Sequence, residues 1–366
     1  MKILIATHYF LPHKGGIEFV AYNQAKELVK KGHQVTIISS KIGNESEEEI
    51  IDGIKILRVK AWNWFENKWG VPYPLLSPSI FKVMNEEVKK ADVVHVHDIN
   101  YLNSFIASKK AKKCSKPLIL TQHITFVNHG LITNLIQRIV KSIYGKYIIK
   151  SADKIIVCNE QVKIWLDEPN KTFFLHNAVD TNLFKPATKK EKITLRKKYN
   201  LPLNKPIILF VGRLVEKKGF DKLFEARDKD YLLVFAGEGN IPDYMKKDKN
   251  ILFLGGMSQE KLSEIYKASD IFCLPSVNEG FPLTILEAMS SGLPIITSNN
   301  PGYEHYLNKE KVLLIKPEVN IIKSSIKDLI QNKKKINKMK EYSRTEAIKK
   351  FNWNKNAISL LEVYGK

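Results

Sequence analysis

The chain has 366 residues, 44% hydrophobic and 10% aromatic, a length that exceeds one ordinary core and predicts two globular domains. No apolar run is long enough to span a bilayer, and Cys114, Cys158 and Cys273 lie far apart without a CxxC pair, which excludes a zinc ribbon or a disulfide framework and fits a reducing cytoplasm. The formal charge of +21 is spread out, with 25 Lys+Arg against 17 Asp+Glu in residues 1–180 and 34 against 21 in residues 181–366, so phosphorylated ligands or an anionic membrane surface suit it better than a dedicated nucleic-acid face.

KILIAT opens the chain as a strand, interrupted by Thr7, His8 and a prolyl bend before any small-residue cleavage site, so it does not read as a signal peptide. The pair Gly15-Gly16 follows, where a backbone without side chains admits a phosphate or sugar closely; an ordinary tight turn explains the pair equally well, and no GxGxxG is present. An amphipathic helix through FVAYNQAKELVKK and the strands HQVTIIS, DVVHVH, PLILTQH, KIIVCN and TFFLHN come next, an alternation that implies parallel strands with helical crossovers. In DVVHVHD, His95 and His97 share one strand face beside Asp98, which invites a metal, but no third ligand has helpful spacing. His123 closes PLILTQH and would face a ligand if that strand end lines a cleft; a satisfied structural histidine is the commoner role. The segment TNLIQRIVKSIYGKYIIKSADK at 133–154 has apolar and basic faces, and reads either as a surface helix for an anionic leaflet or as a core helix with Leu135, Ile139, Ile143 and Tyr147 inward.

Near Asp180 the pattern relaxes into NLFKPATKKEKITLRKKYNLPLNKP, which places the domain boundary there: residues 1–180 and 181–350. A second series then runs IILFVGR, YLLVFAGEG, ILFLGG, IFCLPS, PIITS and VLLIKP. Both halves begin with strand, glycine-bearing loop and helix, which predicts two doubly wound α/β domains facing a ligand cleft at their strand ends. Arg213 directly follows IILFVG and Lys218 comes five residues later, a reach that could clamp a diphosphate. Asp228-Lys229-Asp230 has DxD spacing, but precedes a strand and reads as solvated. In NEGFPLTILEAMSSGLPIITS at 278–298, Leu283, Leu286 and Met289 recur at helical spacing, Pro282 fits the first turn and the helix stops near Gly292. Glu279 then stands at the helix mouth, a natural anion site, and Glu287 lies two turns in. A carboxylate beside such a mouth suits a ligand with both phosphate and vicinal hydroxyls; most helical glutamates simply face water.

Taken together, GGIE at 15–18, VGRLVEKKGFDKLFEA at 211–226 and EGFPLTILEAMSSGLPIITS at 279–298 resemble the retaining glycosyltransferases of family 4, with the two-Rossmann architecture called GT-B. The resemblance implies a hexosyltransferase in which Glu279 faces the donor sugar, Glu287 binds the nucleotide ribose, Arg213 and Lys218 hold the diphosphate, Gly16 lines the phosphate loop and His123 lies beside the transferred sugar. It also carries Gly15, Gly280, Phe281, Pro282 and Leu283 as donor-binding positions. The donor would be a UDP- or GDP-linked sugar, no further cofactor is implied, and fixed cations stand where a metal would. FNWNKNAISLLEVY at 351–364 looks like the family's last helix, which returns to the first domain. The sequence departs from many relatives at Ala178, where glycine precedes Val-Asp. The acceptor, a glycan, a lipid-linked sugar or a small molecule, has no comparable signature; the Trp-rich AWNWFENKWG at 61–70 could stack on sugar, dip into lipid or form a local core. A nucleotide-sugar 2-epimerase and a non-catalytic basic surface-binding protein are the alternatives. No acid or histidine of the first domain can be placed as a base opposite the leaving diphosphate, which points to attack from the leaving-group side and retention of configuration.

Overall fold

The computed structural model describes residues 1–13, 15–64, 74–123, 125, 138, 140–277, 281–300, 303 and 306–365. The chain forms two compact units, Met1–His176 with Trp353–Lys366, and Asn177–Asn352.

The strands of the first unit are β1 (Lys2–Ala6), β2 (Gln34–Lys41), β3 (Glu48–Ile51), β4 (Ile54–Trp62), β5 (Leu75–Leu76), β6 (Val93–His97), β7 (Leu118–Gln122), β8 (Lys154–Val157) and β9 (Thr172–Phe174). They make one sheet in the order β3-β4-β2-β1-β6-β7-β8-β9, with β5 on β4. Only β3 and β5 run antiparallel, both against β4. Alternate residues of β1 enter opposite cores: Leu4 and Ala6 join Val94, Val96, Leu118 and Leu120 on one face, while Ile3 and Ile5 join Ile37 and Ile119 on the other. Burial on both faces is why these strands read as near-continuous apolar runs. The β3–β4 hairpin was absent from the strands expected from sequence. Its turn is Asp52-Gly53 at φ 51° and 79°, the type I′ geometry that an Asp-Gly pair supplies.

Helix α1 (Gly16–Lys30) covers the second of these faces together with the final helix. That final helix, Trp353–Tyr364, is tied in by side chains: Gln24 Nε2 donates to Asn356 Oδ1 at 3.0 Å, Asn356 Nδ2 donates to the His176 carbonyl at 2.6 Å, and Trp353 meets Phe19 edge-on.

The second unit holds β10 (Ile207–Val211), β11 (Leu232–Ala236), β12 (Ile251–Gly255), β13 (Ile271–Leu274), β14 (Ile295–Ser298) and β15 (Leu313–Ile315). They are all parallel, in the order β12-β11-β10-β13-β14-β15. Numbered within the unit this is 3-2-1-4-5-6, the dinucleotide-fold order, whose switch point lies between β10 and β13. The helices that matter for the site are α2 (Gln259–Ala268) and α3 (Leu283–Ser290). The lysine-rich C-terminal stretch forms α4 (Lys333–Lys349), whose Arg344 Nη1 donates to the carbonyls of Thr181, Phe184 and Ser290 at 3.1, 3.1 and 2.8 Å. One guanidinium thus fastens α3 to the residues that enter this unit. The final helix Trp353–Tyr364 is α5. Among the described residues, no helix is long and apolar enough to cross a membrane.

Candidate functional site

In the first unit the switch point lies between β1 and β6, so the residues after those strands converge. Gly15 is the N-cap of α1, extended at φ −147°, and Gly16 is its first residue. A Cβ on Gly15 would come within 2.1 Å of the Glu18 carboxylate, whereas one on Gly16 would meet nothing within 4 Å among the described residues. The two glycines of one motif therefore differ: Gly15 yields its space to the chain's own acid, and Gly16 leaves its space open. Glu18 is 2% exposed, with Oε1 at 2.9 Å from His13 Nδ1 and 3.7 Å from His8 Nε2. Burial alone would raise its pKa, but the bond to His13, the charge of His8 and a bond to its own backbone N–H hold it below the usual carboxylate range. The carboxylate thus occupies the positive end of α1 itself.

Asp98 and His123 follow β6 and β7. Asp98 adopts a left-handed φ of 60° and its Oδ1 accepts from the His123 backbone N–H at 2.9 Å; burial pushes its carboxyl up to about 7. The His123 carbonyl accepts from Cys158 Sγ at 3.3 Å. Its ring Nε2 lies 2.9 Å from Nδ1 of the fully buried His97. Burial lowers the His123 ring to about 4, against an opposing pull from Glu18, so it is neutral at physiological pH. His95, the other half of the pair read as metal-inviting, is bonded to Tyr364 of α5 through Nδ1 at 2.7 Å and to Thr121 through Nε2 at 2.6 Å.

In the second unit Arg213 and Lys218 follow β10, Arg213 exposed and Lys218 half-buried. Lys218 ends a short 3-10 turn, Glu216–Lys218, and Gly219 after it takes φ 70°. A Cβ on Gly219 would approach the Pro275 carbonyl to 2.2 Å, and Val277 N–H donates to the Lys217 carbonyl at 2.9 Å. These two contacts pin the cationic turn to the end of β13, across the switch point, where the segment leading to α3 begins. Glu279 and Gly280 lie outside the described residues. Phe281 is 2% exposed and its ring packs against Tyr303, Tyr306 and Phe351, so only its backbone is presented at the helix mouth, and its carbonyl accepts from Asn177 Nδ2 at 3.0 Å. Pro282 stands one position earlier than expected, as the N-cap at φ −63° and ψ 134°, and Leu283 is the first helical residue. Past the helix, Gly292 takes φ 70°, with Gly292 and Leu293 N–H groups returning to Met289 and Ala288 carbonyls, a left-handed stop.

Glu287 is 3% exposed. Its Oε2 accepts from Tyr266 OH at 2.9 Å, and Gln259 supplies a second bond. Burial raises its carboxyl to about 7 because these donors are neutral and offset only part of the desolvation. The DxD acids are taken by lysines: Asp228 by Lys323 and Lys327 at 3.0 and 2.9 Å, and Asp230 by Lys327 at 3.3 Å. Sequence reasoning passed over Glu18, Tyr266, Gln259 and the contact made by His97; the GGIE tetrapeptide contained the one signal that could have found Glu18, an acid at the third helical position after glycine.

Of the surfaces considered for lipid, Trp62 and Trp64 are 65% and 49% exposed, with 65–73 outside the described residues. Of the apolar positions in 133–154, Leu135 and Ile139 lie outside them, Ile143 is 58% exposed, and Ile148 and Ile149 are buried.

Residues 14–183 match the family Glycosyltransferase Family 4, and residues 191–346 match Glycosyl transferases group 1. The chain is 30% identical over 316 residues to a UDP-Gal:alpha-D-GlcNAc-diphosphoundecaprenol alpha-1,3-galactosyltransferase of Escherichia coli, covering 78% of each chain. It is 27% identical over 344 residues to an uncharacterized glycosyltransferase of Methanocaldococcus jannaschii, covering 85% of this chain and 83% of that one. Among solved structures it is similar to Anabaena HepE in complex with UDP and glucose, with a TM-score of 0.78 at 16% identity over 100% of this chain and 99% of the other.

Proposed function

The chain belongs to the group 1 glycosyltransferases, with the GT-B fold, and from that premise we propose that it transfers a hexose from a nucleotide diphosphate sugar, with retention, to a glycan, lipid-linked or small-molecule acceptor. The observation that carries the proposal is the pinning of the Lys218 turn to the end of β13 by Gly219 on Pro275 and by Val277 on Lys217. It holds a cation at the switch point of the second unit, next in the chain to the segment that carries Glu279, Gly280, Phe281, Pro282 and Leu283. Arg213 and Lys218 take the diphosphate, the backbone at the mouth of α3 and Glu279 take the donor sugar, and Glu287 accepts hydrogen bonds from the ribose diol. As the bond between anomeric carbon and phosphate oxygen breaks, the acceptor hydroxyl bonds to that carbon from the same side, its proton passes to the departing phosphate oxygen, and the two cations hold the growing charge. The donor is UDP-linked in this reading, in line with the UDP-Gal of the E. coli relative and the UDP bound to HepE. A lipid-linked acceptor, as in that relative's name, would bring the first unit to the cytoplasmic face of a membrane.

The test has two steps. A thermal-shift panel of nucleotide sugars identifies the donor by the stability it adds, and proton NMR of the purified product then reads the new linkage. An α-linkage from an α-donor is expected, and a β-linkage defeats the mechanism. Lys218→Ala and Arg213→Ala should each lower turnover by about 100-fold, with activity retained in EDTA; strict dependence on added manganese would overturn the cation clamp.

A further inference from the structure

The unused feature of the first unit is the contact between His97 and His123. Their nitrogens, Nδ1 of His97 and Nε2 of His123, are 2.9 Å apart, the ring planes differ by 17° and the centroids are 5.1 Å apart. A centroid separation that exceeds the N–N distance by two ring radii means that the rings meet edge to edge, nearly coplanar, the best geometry for one nitrogen to donate to the lone pair of the other. Which one donates is decided at the far side of His97. Its Nε2 is fully buried and has no hydrogen-bond partner among the described residues, and the neighbouring ring cannot supply one, because His95, with centroids 4.6 Å away, has both nitrogens engaged by Tyr364 and Thr121.

If His123 Nε2–H donated, His97 would carry its proton on Nε2 as a buried N–H with no acceptor, an arrangement that folded proteins avoid more strictly than an unused lone pair. If His97 Nδ1–H donates, the buried Nε2 is only an unused lone pair. From this geometry we infer that His97 is the positioning residue that fixes His123 in the tautomer with its proton on Nδ1 and its lone pair on Nε2. Burial keeps both rings neutral, so the doubly protonated alternative does not compete. Ser104 Oγ donates to the His97 backbone carbonyl at 3.0 Å and Asp98 Oδ1 accepts from the His123 backbone N–H, so both of these bonds are made to backbone and neither is made to an imidazole nitrogen.

Resting on the function proposed above, this gives His123 a defined duty. With Nε2 occupied, the ring can offer a sugar only an N–H, through Nδ1, so it orients a hydroxyl by donation and takes no proton from the acceptor. That agrees with a reaction in which the leaving phosphate is the proton acceptor.

The tautomer is read without turnover. In full-length protein labelled with ¹⁵N-histidine, long-range ¹H–¹⁵N spectra distinguish a protonated from a lone-pair nitrogen, and the His123 signals are assigned by their loss in His123→Phe. Protonated Nδ1 and lone-pair Nε2 at His123 are expected in the wild type. They should persist in His97→Asn, whose amide N–H takes the place of Nδ1–H, and give way to an Nε2–H or mixed state in His97→Ala. A protonated Nε2 at His123 in the wild type overturns the inference. Kinetically, His97→Ala should lower kcat about tenfold with donor KM unchanged, and His97→Asn should restore it; equal losses in both variants would mean a merely structural histidine. If the tautomer is as assigned but His123→Phe transfers at the wild-type rate, the placement of His123 against the sugar falls and the tautomer assignment stands.

Discussion

Glu18 in the first unit and Glu287 in the second are the same residue at the same depth, 2% and 3% exposed, yet their carboxyls are driven in opposite directions. Burial works against the charged form of both. Glu18 overcomes it with His13, His8 and the start of a helix, all of which favour negative charge. Glu287 has only a phenol and an amide, and rises to about 7. Depth sets the cost of a charge, and the charge of the partners decides whether it is met. For the proposed reaction the difference is useful: a carboxylate fixed by its own chain is spent on structure, while one poised near neutrality gains most from new donors such as a ribose diol.

The comparison is broken most forcefully at Glu287. Glu287→Gln removes the anionic acceptor and should raise donor KM about 10- to 100-fold at pH 8, as expected for a hydrogen bond to a charged group, with kcat much less affected. Below pH 7 the wild-type carboxyl is itself protonated, so the gap between wild type and variant should narrow; a gap independent of pH would show that the ribose is bound elsewhere. The stability of the wild type should also fall as pH rises from about 4.5 to about 7, because the folded state holds a proton that the unfolded chain releases, and the variant should lose that slope in a series of denaturation curves.

Glu18→Gln tests the opposite sign. A carboxyl held low contributes stability above its ordinary pKa and loses it as pH falls below that value, so this variant should be less stable than wild type by about 1–3 kcal/mol at pH 7 and converge with it in acid. Urea titrations at pH 7 and at steps downward from pH 4 read this, because the loss is spread from the ordinary carboxylate value down through the lowered one; a difference that stays constant over the whole range would remove the electrostatic account. Gly15→Ala should have a smaller effect of the same kind, about 1 kcal/mol, because its Cβ displaces the Glu18 carboxylate. Tyr266→Phe should match Gly15→Ala in size, about 1 kcal/mol in melting experiments, with the Glu287 carboxyl raised further because one of its two donors is gone. Gly16→Ala should leave stability within about 0.5 kcal/mol, since its Cβ meets nothing among the described residues, and any rise in donor KM in that variant then reports a ligand in the open space.

The strands were legible because parallel sheets bury both faces and so print uninterrupted apolar runs: KILIAT, DVVHVH, IILFVG and IFCLPS each contain a strand of the structure. β3 was not, since an edge strand reading EEII alternates exposed and half-buried positions and lacks such a run. Arg213 and Lys218 could be singled out by their distance from the end of β10, but what holds Lys218 in place is Pro275, 57 residues after it and brought near only by pairing β10 with β13. The same is true of Tyr266 and Gln259 around Glu287, and of His97 against His123: local spacing shows which side chains share a face, while their hydrogen-bond partners come from strands and helices that sequence order keeps apart. Phe281 shows the converse, a residue within a recognisable motif whose ring belongs to the core.

The tie between α5 and the first unit sets an order of events during synthesis. Residues 177–352 are translated between two pieces of one core, and at roughly 5–20 residues per second their passage takes about 10 to 35 seconds. During that interval the first sheet has emerged but lacks the helix that covers Ile3 and Ile5 and brings Tyr364 to His95. The second unit, contiguous in the chain, has all its strands translated before α5 is made. The unit translated first is thus the one that must wait with an uncovered apolar face, and the burden of keeping it from other chains falls on α1, the helix already in place on that face.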